Sequence, residues 1–483
     1  MSVARNTLYN IVGAIVPIAA TLITIPLYVH RIGDARYGIL AIVWLLLGYF
    51  GLFDLGLSRA TANQVARLQN ADPRDREDVF WNACAINAAI GVLGGILIYA
   101  LGRPLMEHWL KMSGALRVEA TSALPWLSVA VPLATFTGVL TGTLEGQRRF
   151  GVVNAIQACG TVLFQGAPLI AAYTTGPQLQ VIIPAAVIAR AISIIPFGIA
   201  VKSSLPVTSM PRIKMSLMRD LLSYGGWVSV TNLISPVLES FDRVLIGVIL
   251  GAADIAYYAV PFSLVGRTRI FPFALSRTLF PYLSAEASDQ ASTRALGAIS
   301  TLAAAAIPVT IIGMLLMRPF LEFWMGIGFA AHASLIGETL LCAIWINGVA
   351  SIPFALLQAQ GRPDVVAKFH LAEILPYIGL LWICLLRFGL LGAAIAWAVR
   401  AIIDAVLLIF ATSFGRAAFS RLLPGAVLIA ITWIPLYELP LLAGSLKVIL
   451  ECSIVVLALT WSAYTSPELR IYLRRAWDQV KLC

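Results

Sequence analysis

Apolar residues in this chain come in long runs, separated by short breaks rich in charged or turn-forming residues. Leu8–Val29 and Trp81–Gly102 are two such runs. Each holds about 20 residues, enough at a rise of about 1.5 Å per residue to cross a hydrocarbon layer of about 30 Å. The pattern predicts fourteen spans, at 8–29, 38–58, 81–102, 120–144, 152–174, 181–200, 222–249, 254–276, 295–317, 333–358, 369–386, 391–411, 422–438 and 448–465. The fold class that follows is an all-α polytopic membrane protein of about 14 transmembrane helices. No break is long enough for a globular domain; the longest predicted outer loop is 103–119.

Composition agrees with the pattern. Of 483 residues, 59% are apolar and 12% are charged, where a soluble domain carries about 25% charged residues. Mean hydropathy is +0.87. The first apolar run is too long for the core of a secretory signal peptide and has no small-residue cleavage site behind it. The cysteines (Cys84, Cys159, Cys342, Cys384, Cys452, Cys483) sit mostly inside apolar runs, which argues against a disulfide framework. The four histidines are dispersed without metal-ligand spacing, so no metal site is expected.

The net charge of +10 bears on orientation. With the N-terminus in the cytoplasm, 21 Lys and Arg fall in cytoplasmic segments, 8 in outer loops and 5 within spans. By the positive-inside rule both termini are cytoplasmic. Basic residues cluster at Arg59/Arg67/Arg74/Arg76, Arg148/Arg149, Lys202/Arg212/Lys214/Arg219 and Arg470/Arg474/Arg475/Lys481. Such clusters between spans serve topology and contact with anionic lipid, so nucleic acid is excluded as a partner.

The chain also overlays on itself. Arg5 and Leu8 match Arg219 and Leu222 at an offset of 214. Arg149-Phe-Gly-Val-Val matches Arg362-Pro-Asp-Val-Val at 213, and Arg190-Ala-Ile matches Arg400-Ala-Ile at 210. Three matches at nearly one spacing predict two parallel six-span repeats. The expected organisation is an N-lobe at 1–203, a C-lobe at 204–415, two extra spans at 416–465 and an amphipathic cytoplasmic tail at 466–483. Two pseudo-symmetric bundles that rock against each other are the usual means of alternating access.

The N-terminal residues Asn6, Asn10, Pro17, Pro26-Leu27, Gly33, Tyr37-Gly38 and Asp54-Leu55-Gly56-Leu57 are similar to the opening of the polysaccharide transporter family. These are the Wzx-type lipid-linked oligosaccharide flippases of the multidrug/oligosaccharidyl-lipid/polysaccharide superfamily. Asp242-Arg243-Val-Leu-Ile-Gly, Leu250-Gly251, Tyr257-Tyr258 and Gln360-Gly361-Arg362 resemble its second lobe. The resemblance implies an inverted V of two six-helix bundles around a partly cationic central cavity. It also implies a cargo, polyprenyl-pyrophosphate-linked oligosaccharide, moved from the cytoplasmic to the periplasmic leaflet of a bacterial inner membrane. The pathway's polymerase or ligase would be a partner, and no enzymatic activity is implied.

Charged groups within a bilayer cost about 2.5–3.5 kcal/mol each on the insertion scale, so each needs a reason. Arg190 and Arg400 lie at matching depth in spans 6 and 12 and are candidates to hold the pyrophosphate through paired guanidinium hydrogen bonds. The alternative is structural: Arg400 would pair with Asp404, one turn along, and Arg190 with an acid on another helix. Arg267 and Arg269 of span 8 are further candidates, because related lipid-II flippases use arginines there. Two residues apart on an α-helix, they point about 200° from each other, so both cannot face one cavity. Those relatives also carry arginines in the first span, and Leu8–Val29 has none.

Candidates for a gate or ion-coupling site are Asp54, Glu239, Asp242, Glu373 and Asp404. Glu239, Asp242 and Arg243 share one helix face, where local neutralisation is the favoured explanation over ion coupling. Trp44, Trp345 and Trp397 lie deep in their spans, available either to stack on sugars or to pack. The reading is therefore a flippase with no cofactor beyond a coupling proton or sodium ion. A cation-coupled multidrug antiporter of the same superfamily is the alternative. An integral-membrane enzyme would need paired acids at the outer surface. The outer loops offer only isolated ones, Asp34, Glu107 and Glu119.

Overall fold

The structure is a computed structural model that describes residues 3–49, 56–68, 72–205, 212–219, 221, 241–412, 414–438 and 444–465. All regular elements among these residues are helical. They form two compact units, Met1–Ala256 and Tyr257–Cys483. Eight of the described helices are long and apolar enough to cross a membrane, and two shorter apolar ones accompany them.

The first unit contains α1 (Val3–Ile32), α2 (Asp34–Tyr49), α3 (Leu57–Arg67), α4 (Pro73–Pro104), α5 (Gly114–Gly146), α6 (Phe150–Thr174), α7 (Leu179–Ser204) and α8, described over 241–249. Asp72 caps α4 by accepting the Arg74 N–H at 2.9 Å ahead of Pro73, a standard helix start. Helix α5 is central: it packs against α3, α4 and α7. Small residues allow this closeness. A Cβ at Gly142 or Gly146 would strike the Ser58 or Ala62 carbonyl oxygen of α3. Close backbone approach through small residues is how helices associate where lipid is as apolar as leucine. The span predicted at 38–58 is not one continuous helix. Gly56 has φ 72°, outside the helical region, and α3 starts after it.

At one end of this unit Glu119 of α5 ties three helices together. It takes both arms of Arg36 at 2.7 and 2.8 Å and the Leu179 N–H at the start of α7 at 3.1 Å. Between α1 and α6, the Gln165 side-chain amide bridges Thr24 at 2.8 Å and Thr21 at 3.1 Å, and the Gln165 backbone carbonyl accepts the Tyr28 hydroxyl at 2.7 Å.

The second unit contains most of α9 (Ala252–Gly266), a 3₁₀ turn (Arg267–Arg269), α10 (Ile270–Ala285), α11 (Ser288–Met325), α12 (Ile327–Ala359), α13 (Pro363–Phe410), α14 (Gly415–Glu438) and α15 (Gly444–Thr465). The break predicted between spans 11 and 12 falls inside α13 at Gly389, whose φ of 57° and ψ of −140° fold the chain back on itself. Glycine alone adopts that pair of angles without strain. The last two helices pack on α11: Ser462 donates to the Ala304 carbonyl at 2.7 Å and Arg421 to the Ser300 hydroxyl at 3.1 Å. The predicted tail at 466–483 lies outside the described residues.

The two units share one turn in detail. After α5, Arg149 N–H bonds the Leu144 carbonyl at 2.9 Å, and its guanidinium reaches the Ala200 carbonyl at the end of α7 at 3.2 Å. After α12, Arg362 N–H bonds the Leu357 carbonyl at 2.9 Å and its guanidinium reaches the Ala411 carbonyl at 3.2 Å. The preceding residues, Arg148 and Gly361, have φ of 60° and 72°. The same turn thus carries glycine in one unit and a strained arginine in the other. A side chain in the left-handed region costs about 1–2 kcal/mol. Arg148→Gly is therefore expected to stabilise the protein by about 1 kcal/mol, seen as a rise in unfolding temperature in detergent; an unchanged temperature would mean that the turn holds no such strain.

Candidate functional site

Two places in the described chain are candidates for a functional site, one in each unit. In the first, α5, α6 and α7 enclose a cavity of about 380 Å³. That volume is within the range of small-ligand sites, about 300–1,000 Å³. Its polar lining is Thr137, Asn154, Gln157, Thr161, Arg190 and Ser193. Arg190 is the charged member among the described residues that line it. The α6 and α7 backbones close in beside it, where a Cβ on Gly160 would stand 3.3 Å from the Ser193 hydroxyl.

In the second unit, α13 turns back at Gly389 and lays its two halves against each other. His370, Glu373 and Tyr377 lie on one face of the first half at i, i+3 and i+7; Arg400 and Asp404 lie at i and i+4 on the second. Arg400 does not pair with Asp404. Its Nε stands 3.5 Å from a Glu373 carboxylate oxygen, and its guanidinium lies over the Tyr377 ring at 5.3 Å. Asp404 instead faces His370 Nε2 at 3.4 Å. The pairing crosses between the two halves because Glu373 and Arg400 are brought side by side by the fold-back. Both carboxylates are about 6% exposed. Phe354 stacks on His370, with ring centroids 6.3 Å apart.

Arg267 and Arg269 fall in the 3₁₀ turn between α9 and α10. Span 8, predicted as one α-helix, is interrupted there. With three residues per turn the two arginines diverge by about 240° rather than 200°. Arg267 is exposed, and Arg269 lies over the Phe273 ring at 5.4 Å. Short 3₁₀ stretches inside a long helix are common at hinges.

The other predicted residues are placed as follows. Asp54 and Glu239 lie outside the described residues. Asp242 and Arg243 are both buried in the first unit. Trp44 sits among Tyr28, Tyr37 and Phe164, with ring centroids at 4.9, 6.0 and 6.5 Å. Trp345 is buried and donates to the Ala303 carbonyl at 3.3 Å; Trp397 is buried against Phe262. Trp345 also borders two apolar cavities, whereas Trp397 borders none of the cavities described. Sequence reading passed over His370, although its spacing to Glu373 carried the signal. It also passed over the neutral polar residues of α6.

The sequence profile of the family described as polysaccharide biosynthesis protein matches residues 3–287. A Shigella flexneri protein provisionally named an O-antigen transporter is 30% identical over 412 residues, 84% of this chain and 97% of its own. Among solved structures, the lipid II flippase MurJ in an inward closed conformation superposes with a TM-score of 0.68 at 15% identity, covering 94% of this chain and 99% of MurJ. A multidrug resistance MATE family transporter in an inward-facing conformation gives 0.69 at 15% identity, over 87% of this chain and 98% of its own.

Proposed function

We infer a function from one premise: this chain belongs to the polysaccharide biosynthesis protein family. It is a multi-pass membrane protein of the fold shared by MurJ and the MATE transporters. Our reading is that it is a flippase for lipid-linked oligosaccharide, moving a polyprenyl-pyrophosphate-linked sugar unit from the cytoplasmic to the outer leaflet of a bacterial inner membrane by alternating access. The observation that carries it furthest within the chain is the Arg190 cavity, one guanidinium among five neutral hydrogen-bonding side chains. Such a lining suits an anionic linkage attached to a neutral polyol. The basic bias of the segments assigned to the cytoplasm supports both termini facing that side. Transport of this kind needs no covalent step, and the polymerase or ligase that receives the sugar is the partner expected on the far side.

The cluster of His370, Glu373, Arg400 and Asp404 is the seat we assign to a coupling ion. With a guanidinium already beside Glu373 and an imidazole beside Asp404, a proton fits better than sodium. The MATE-like fold leaves the multidrug antiporter as the second reading. Against it stands Arg190 itself, a cation in the cavity lining that repels a cationic drug.

Depletion of the protein tests the choice. The flippase reading expects lipid-linked oligosaccharide to accumulate and to stay protected from a membrane-impermeant glycosidase added to intact spheroplasts. Accumulation in the accessible pool would place the block after translocation and defeat the reading. Absence of accumulation, with sensitivity to cationic dyes, would favour the antiporter.

A further inference from the structure

Helix α6 carries Asn154, Gln157, Thr161 and Gln165 at i, i+3, i+7 and i+11. At about 100° per residue these four fall within an arc of about 80°. Exposed Val162, Ile170 and Tyr173 lie on a different arc of the same helix. Polar amides facing hydrocarbon are strongly disfavoured, so a helix with one apolar exposed arc and one amide-rich arc has a lipid side and a side reserved for protein, water or ligand. Gln165 spends its amide on α1. The other three line the 380 Å³ cavity with Thr137, Arg190 and Ser193.

The hydrogen-bond inventory of that cavity is uneven. The hydroxyls of Thr137, Thr161 and Ser193 each donate to a carbonyl of their own helix, of Leu133, Gln157 and Ala189, at 2.8 Å. Their remaining capacity is for accepting. A phosphate oxygen also only accepts, so these three hydroxyls cannot bind it. They match a ligand that donates, such as a sugar hydroxyl. The Asn154 and Gln157 amides serve either role, and Arg190 serves only acceptors. Ser193 is three residues from Arg190 on α7, an axial rise of about 4.5 Å. Acceptors for sugar hydroxyls therefore begin one helical turn from the group that suits pyrophosphate.

We propose that this cavity is a sugar-reading subsite: Arg190 holds the pyrophosphate, while Asn154, Gln157, Thr161 and Ser193 hydrogen-bond the saccharide residue attached to it. The proposal rests on the flippase reading and assigns sugar recognition to neutral amides and hydroxyls rather than to the tryptophans.

The test compares two lipids on the full-length protein in nanodiscs: the lipid-linked oligosaccharide purified from cells depleted of this protein, and undecaprenyl pyrophosphate without sugar. Wild type should bind the glycosylated lipid more tightly. Asn154→Ala with Gln157→Ala should weaken the glycosylated lipid by about tenfold, or about 1.4 kcal/mol, and leave undecaprenyl pyrophosphate unchanged. Thr161→Val, which keeps the shape and removes one acceptor, should weaken the glycosylated lipid alone by a few-fold at unchanged unfolding temperature. Equal loss on both lipids, or no loss on either, overturns the subsite while leaving the flippase reading intact. A wild type that binds neither lipid defeats both.

Discussion

Arg400→Ala is expected to remove most of the folded protein from the membrane. The substitution leaves the Glu373 carboxylate buried with its cation gone, next to a second buried carboxylate, Asp404. Breaking a buried pair from one side costs about 3–5 kcal/mol, because the surviving charge is neither solvated nor paired. The second substitution Glu373→Gln on the same chain should recover much of that loss, since a neutral amide needs no countercharge. Unfolding temperature in detergent and the amount of protein in the membrane measure both steps. If Arg400→Ala unfolds at the wild-type temperature, the guanidinium contributes nothing to the fold and the cluster is not held together by its charges.

Arg190→Ala should behave in the opposite way. Arg190 is half-buried and lines its cavity among neutral described side chains, so it is placed to meet a ligand rather than to hold the fold together. Protein level should stay at that of wild type while export falls by roughly 10–100-fold, the loss expected for about 1.5–3 kcal/mol of hydrogen bonding to a charged group. Arg190→Lys keeps the charge without the planar fork and should retain part of the activity. The readout is lectin access to the oligosaccharide on intact spheroplasts. Normal export by Arg190→Ala would remove this cavity from the transport route.

The two arginines looked equivalent in the sequence, at matching places in a repeat. Span positions were legible because apolar runs and turn residues are local signals, and every predicted span except 222–249, of which only 241–249 is described, lies on described helix over most of its length. What separates Arg190 from Arg400 is the company that tertiary packing provides. Glu373 is 27 positions before Arg400, and only the fold-back at Gly389 sets them together, so helical spacing pointed to Asp404 instead. The amide arc of α6 was present in the sequence at helical spacing all along. It went unread because a search for charges inside the membrane passes over neutral groups.

The turn after α5 has a consequence for how the chain is made. Arg149 fastens the start of α6 to the end of α7, using residues that all precede position 205. Its counterpart at Arg362 closes on Ala411 using only residues of the second unit. Each half thus carries its own clasp, and the earlier one can shut while the ribosome is still translating the later half. An insertion machinery that releases helices in sequence would hand over a half-protein whose α6 and α7 are already locked in register before the second half arrives.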